Sequence, residues 1–173
     1  LEVESGAWRK LVDPYHVFLH PLGWLWFHAW IACGWRGPSI VPFQVLNALG
    51  GAACVALLFS IAAAETRSNR AAALIAAGCA VSGGLWLLST EAEWVSVPLA
   101  VNLAVLAYLL RIGREDPWST TRSIWRGVVI GCAALTYLTC ALLLVVALFA
   151  VWERRASRSE RLRTAMLVVA GFL

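Results

Sequence analysis

Long apolar runs separated by short charged gaps dominate the chain. Four of them, at 41–64, 71–88, 94–110 and 127–152, contain no Asp, Glu, Lys, Arg or His, and a fifth occupies 166–173. A helix needs about 20 apolar residues to cross the hydrocarbon core, and helices satisfy their own backbone hydrogen bonds there. The pattern therefore predicts an all-α protein, a polytopic transmembrane helical bundle read as a single transmembrane domain over 1–173. The last run is too short to cross and reads as the start of a further span. With no Met at Leu1, the sequence reads as a fragment. Residues 1–20 carry Glu2, Glu4, Arg9, Lys10 and Asp13 where a signal peptide needs an apolar core.

The gaps set an orientation. Those at 65–70, 111–126 and 153–163 hold eleven of the fourteen basic residues, which assigns them to the cytoplasmic side. The gap at 89–94 has Glu91 and Glu93 and no base, so it and residues 1–40 fall on the opposite side. A single crossing by 127–152 would put two Arg-rich flanks on opposite sides, yet the run is too short for two full spans. A pair of short helices meeting near Thr136-Tyr-Leu-Thr-Cys140 and returning to the cytoplasm resolves this, the threonines bonding backbone carbonyls at the break.

Residues 1–40 form an external loop of another kind. From Tyr15 to Trp30 they are dense in Trp, Phe and His, which predicts an interfacial amphipathic helix in this first external loop, starting at Leu22 behind Pro21. Gly50-Gly51 and Gly83-Gly84 read as helix-packing contacts.

Composition agrees with the pattern: 61% of residues are apolar, 14% are charged and mean hydropathy is +0.75. The net charge of +4 sits in loops between apolar runs and gives no reason to expect nucleic acid. The five cysteines lie in or beside apolar runs with no CxxC pair, and read as small core residues.

Acidic residues number ten, and five of them, Glu2, Glu4, Asp13, Glu91 and Glu93, fall on the external side in two loops that bracket the first two spans. Carboxylates gathered beside an aromatic wall can act as a general base, as metal ligands or as partners for Arg. Glu91 and Glu93 are the candidates for a divalent cation such as Mg or Mn, or for a solvated loop with no chemistry. Their spacing of two puts them about 200° apart on a helix, so joint ligation needs an irregular loop. His16 and His20 are four apart and read as donors to a phosphate or acceptor, in preference to a zinc pair. No P-loop, GxGxxG, GxSxG or paired Cys nucleophile is present.

Three stretches in order carry a resemblance: His20-Pro-Leu-Gly-Trp-Leu-Trp-Phe, Val41-Pro-Phe-Gln-Val-Leu-Asn-Ala-Leu-Gly-Gly-Ala and Gly84-Leu-Trp-Leu-Leu-Ser-Thr-Glu-Ala-Glu-Trp. Together they resemble the amino-terminal half of GT-C glycosyltransferases, in particular the bacterial protein O-mannosyltransferase-like group, over residues 2–110 and more loosely 127–151. The resemblance implies a multi-pass enzyme of the bacterial inner (plasma) membrane, part of cell-envelope synthesis. It would move a sugar from a polyprenyl-phosphate donor to a protein, lipid or glycan acceptor on the extracytoplasmic face. In that family the first external loop carries a catalytic acid in an Asp-Ser-Gly-Glu setting. Glu4-Ser-Gly-Ala matches its position with Glu for Asp and Ala for Glu, which leaves Glu4 and Asp13 as candidates for the base. Glu91-Ala-Glu93 matches the family's second acidic motif, with Trp94 where Tyr is usual. The rival classes are a multi-pass transporter and a non-catalytic membrane scaffold. A transporter should carry ionisable groups at mid-span, and the four runs hold none.

Overall fold

The structure, a computed structural model, describes residues 18–90, 95–115, 119–153 and 157–173, and every regular element among these is helical. The chain divides after Leu103 into two compact units.

The first unit opens with α1, Leu19–Ala32. Its first backbone bond runs from the Leu22 amide to the Phe18 carbonyl at 3.1 Å, so the helix begins three residues before the expected Leu22. Proline is no obstacle there, because amides of a first turn have no intrahelical acceptor to lose. His20 and Pro21 thus belong to the first turn itself. The helix ends where Gly34 takes φ 94°: the Gly34 amide bonds the Ile31 carbonyl and the Trp35 amide the Trp30 carbonyl, both at 2.9 Å. This left-handed cap brings Trp35 back onto Trp30, ring centroids 5.5 Å apart and nearly perpendicular. Leu19, Gly23 and Phe27 are buried while Leu22, Leu25 and Ile31 are exposed, so apolar side chains lie on both the buried and the exposed face of α1 and it is not amphipathic.

Helix α2, Ile40–Thr66, has 27 residues and is the one helix among the described residues long and apolar enough to cross a membrane. It stops at Arg67, which adopts a left-handed φ of 53°, and Ser68 then caps α3, Asn69–Ala80, by accepting from the Ala71 amide. The two-residue turn sends α3 back along α2. The run at 71–88 is two helices: α3 ends at Ala80 and α4, Gly83–Thr90, follows. Ser82 makes the joint, its hydroxyl donating to the Cys79 carbonyl at 2.7 Å and accepting from the Leu85 amide. Both helices pack on α2. Gly83 and Gly84, expected at a packing contact, meet nothing within 4 Å; they start α4. Helix α5 follows, Ser96–Glu115.

The second unit contains α6, Thr120–Thr136, a 3-10 turn at Leu138–Ala141, α7, Leu142–Trp152, and α8, Arg158–Phe172. Ser119 caps α6, so the helix takes in seven residues ahead of the apolar run, and Arg126, placed by the sequence in a loop, is only 1% exposed. The break in the run falls at Tyr137, which is extended at φ −158°, with the Thr136 hydroxyl donating to the Ala133 carbonyl at 2.6 Å. Ser157 and Glu160 form a reciprocal capping box that starts α8. Helices α6 and α8 touch through backbone. A Cβ at Gly127 would fall on the Val168 carbonyl oxygen and 2.7 Å from the Phe172 nitrogen, one at Gly131 would lie 2.8 Å from the Phe172 oxygen, and one at Gly171 would strike the Ile124 carbonyl. Cys54 and Cys140 are core residues as expected, but Cys33 and Cys132 are exposed.

Candidate functional site

The residues that position a site in the first unit are those that seat α1, the end of α4 and the start of α5 on α2. Phe27 of α1 and Phe43 of α2 form a buried pair, flanked by Trp24, Trp35 and Leu46. The Trp26 indole N–H donates to the Pro42 carbonyl at 2.7 Å. That carbonyl is in the first turn of α2, so one indole both fills space and joins the helices. Trp26 and Trp30 lie 6.1 Å apart edge to face, and Trp24 stacks on His28 at 4.0 Å. His28 Nδ1 lies 2.9 Å from the Trp24 carbonyl, which ties its ring to its own helix.

About 15 Å further along α2, at 1.5 Å per residue from Ile40, lies Gly50-Gly51. The two glycines receive two serines. A Cβ at Gly51 would fall on the Ser89 hydroxyl at the end of α4, and one at Gly50 would lie 3.0 Å from Ser96 at the start of α5. Ser96 is fully buried and its hydroxyl donates to both the carbonyl and the side-chain oxygen of Asn47, each at 2.8 Å. The Cys54 thiol points at the Ser96 carbonyl, 3.6 Å away. Adjacent positions of α2 thereby hold both ends of the short connection that carries Glu91 and Glu93. Beside Ser89 lies an open groove of about 320 Å³ floored by Ala48, Gly51, Ala52 and Val55 and walled by Leu85 and Trp86.

Of the candidates named from sequence, His20 alone falls among the described residues, half-buried in the first turn of α1. Glu4, Asp13, His16, Glu91 and Glu93 lie outside them. No group of three or more His, Cys, Asp or Glu side chains is gathered among the described residues, and the metal candidates Glu91 and Glu93 are not among these. The Asn47–Ser96 pair was not among the candidates read from the sequence. Its signal was a polar amide and a hydroxyl inside apolar runs, each carrying hydrogen-bonding groups that hydrocarbon would not satisfy.

No family model, curated protein or solved structure matches the chain.

Proposed function

We propose that the chain is part of a multi-pass membrane glycosyltransferase that moves a sugar from a polyprenyl-phosphate-linked donor to an acceptor on the extracytoplasmic face. The observation that carries this reading is the order and spacing of the three stretches at His20–Phe27, Val41–Ala52 and Gly84–Trp94. Embedding in a membrane is supported by α2 and by the large apolar side chains left exposed on other helices, among them Leu74, Trp86, Leu142, Val145 and Phe149. Helix α1 then lies at the outer interface, its indoles at headgroup level, and His20 faces phosphate or acceptor. In this reading Glu4 or Asp13 takes the proton from the acceptor hydroxyl as it attacks the sugar's anomeric carbon, and the carrier phosphate leaves with the bonding electrons. Where a divalent ion takes part, Glu91 and Glu93 are its candidates.

The test is transfer from a polyprenyl-phosphate sugar by membranes containing Glu4→Gln or Asp13→Asn. Loss of a general base lowers the rate about a hundredfold to ten-thousandfold, and one of the two variants should show it. Near-normal transfer by both, at saturating acceptor, refutes the assignment of the base. A second reading, a transporter, is favoured by the helix break at Tyr137, since discontinuous helices build substrate sites in transporters. Solute uptake by vesicles containing the chain, in the absence of any transfer activity, would select it.

A further inference from the structure

The second unit has a basic end whose layout matches one kind of surface. The contacts of α6 and α8 fix their relative direction. Gly127 faces Val168 to Phe172, and four residues later Gly131 faces Phe172, so the two helices run parallel and their N-termini share one end. The C-terminus of α7 joins them there. Arg161 of α8 donates to the Trp152 carbonyl at 3.1 Å and places its guanidinium 5.1 Å from the centre of the Trp152 ring. Arg122, Arg158 and Arg163 are exposed at this end, and Arg126 is buried in it. The described acids there are Glu153, at the cap of α7, and Glu160, whose carboxylate accepts from the Ser157 amide and hydroxyl.

Aromatic and aliphatic groups follow the charges in order. Trp125 and Trp152 are each 58% exposed, one turn from the arginines. Beyond them, away from the basic end, Leu135, Val145, Val146 and Phe149 are exposed. Charge, then indole, then aliphatic surface is the order of a leaflet: headgroup, interface, acyl chains. Two parallel helix N-termini add positive dipole ends to the arginines.

We propose that this end binds the headgroups of anionic phospholipids. The inference rests on the membrane embedding proposed above and not on the transferase activity. An acidic peptide or a nucleic acid would answer the charge but leave the indoles and the aliphatic belt without a partner.

The experiment uses the whole chain, first shown to remain in the membrane pellet after an alkaline wash; release at that step would refute the embedding itself. The chain is then purified in neutral detergent and titrated with phosphatidylglycerol or with phosphatidylcholine of the same acyl chains, bound lipid being counted by native mass spectrometry. Phosphatidylglycerol should bind more tightly, and less so as salt rises. Arg122→Gln, Arg158→Gln and Arg163→Gln should each weaken its binding about fivefold, the equivalent of about 1 kcal/mol per arginine near an anionic surface, and leave phosphatidylcholine unchanged. Arg36→Gln, Arg67→Gln and Arg70→Gln, a matched loss of charge in the first unit, should leave the preference intact. Equal binding of the two lipids overturns the proposal, as does an equal loss in the control variants or displacement of phosphatidylglycerol by stoichiometric polyglutamate.

Discussion

Replacing Gly127 with alanine tests the α6–α8 contact directly. A methyl group there would fall on the Val168 carbonyl oxygen, 2.7 Å from the Phe172 nitrogen and 2.8 Å from the Gly171 carbonyl carbon. Ordinary contact for such a carbon starts near 3.4 Å. The obstacle is backbone on the facing helix, so no rotamer change relieves it and the helices must separate. Overpacking of this kind costs about 1–3 kcal/mol, set against a gain of up to about 1 kcal/mol from the better helix propensity of alanine. Because the separation also loosens the contacts at Gly131 and Gly171, a net loss of about 2 kcal/mol is expected. Gly78→Ala supplies the contrast. Its added carbon meets nothing within 4 Å, so the propensity gain stands alone and the helix should hold or become more stable. Gly171→Ala should resemble Gly127→Ala, and Gly131→Ala, whose nearest obstacle is the Phe172 oxygen at 2.8 Å, should be milder. Unfolding of the purified chain in mixed micelles, with hydrogen exchange of α6 amides as the local probe, measures the series. Equal stability of Gly127→Ala and Gly78→Ala would refute the backbone contact.

Two further outcomes are expected. Ser96→Ala removes the buried donor from both oxygens of Asn47 and should cost about 1 kcal/mol, whereas Asn47→Ala leaves the residue 47 carbonyl as an acceptor for Ser96 and should loosen that end less; hydrogen exchange at the start of α5 reads both, and unchanged protection in Ser96→Ala would show that the pair does not fix that end. Single cysteines at positions 67, 111 and 158 should be shielded from an impermeant thiol reagent added outside, and those at 4 and 93 should react, in a background lacking the native cysteines; the opposite pattern refutes the orientation drawn from the basic gaps.

What could be read in the sequence follows from where backbone demands are strict. An apolar run free of charge forces its amides to pair within the helix, so the existence of helices was legible throughout. The break at Tyr137 falls within the Thr136–Cys140 stretch that charge on both flanks of the run had singled out, and Thr136 supplies a substitute bond there. The joint at Val81-Ser82 was not legible. There the charge pattern is satisfied by one straight helix, and only Ser82, bonding both ways across the joint, shows that two are built. Glycine pairs divided similarly. Gly50-Gly51 and Gly83-Gly84 look alike in sequence, but whether a glycine admits a neighbour depends on what faces it, and that is decided by residues far along the chain.

Candidate chemistry was harder to read than fold because it depends on where loop ends are seated. Carboxylates in a loop do not say what they face, because a loop's course is set by its ends. The structure supplies those ends: Ser89 and Ser96 are seated on adjacent glycines of α2, and Asn47 bonds the second of them. The glycine pair accepts two incoming serines at once because α2 carries no Cβ at either crossing, and a bond from Ser96 to Asn47 forms only at one axial position of α5. The connection between α4 and α5 therefore starts and ends about 15 Å along α2, below the level at which Trp26 of α1 meets Pro42. Displacement of either serine would shift one end of that connection, so substitutions at Gly50 and Gly51 should alter any activity that depends on it even though neither glycine has a functional group of its own.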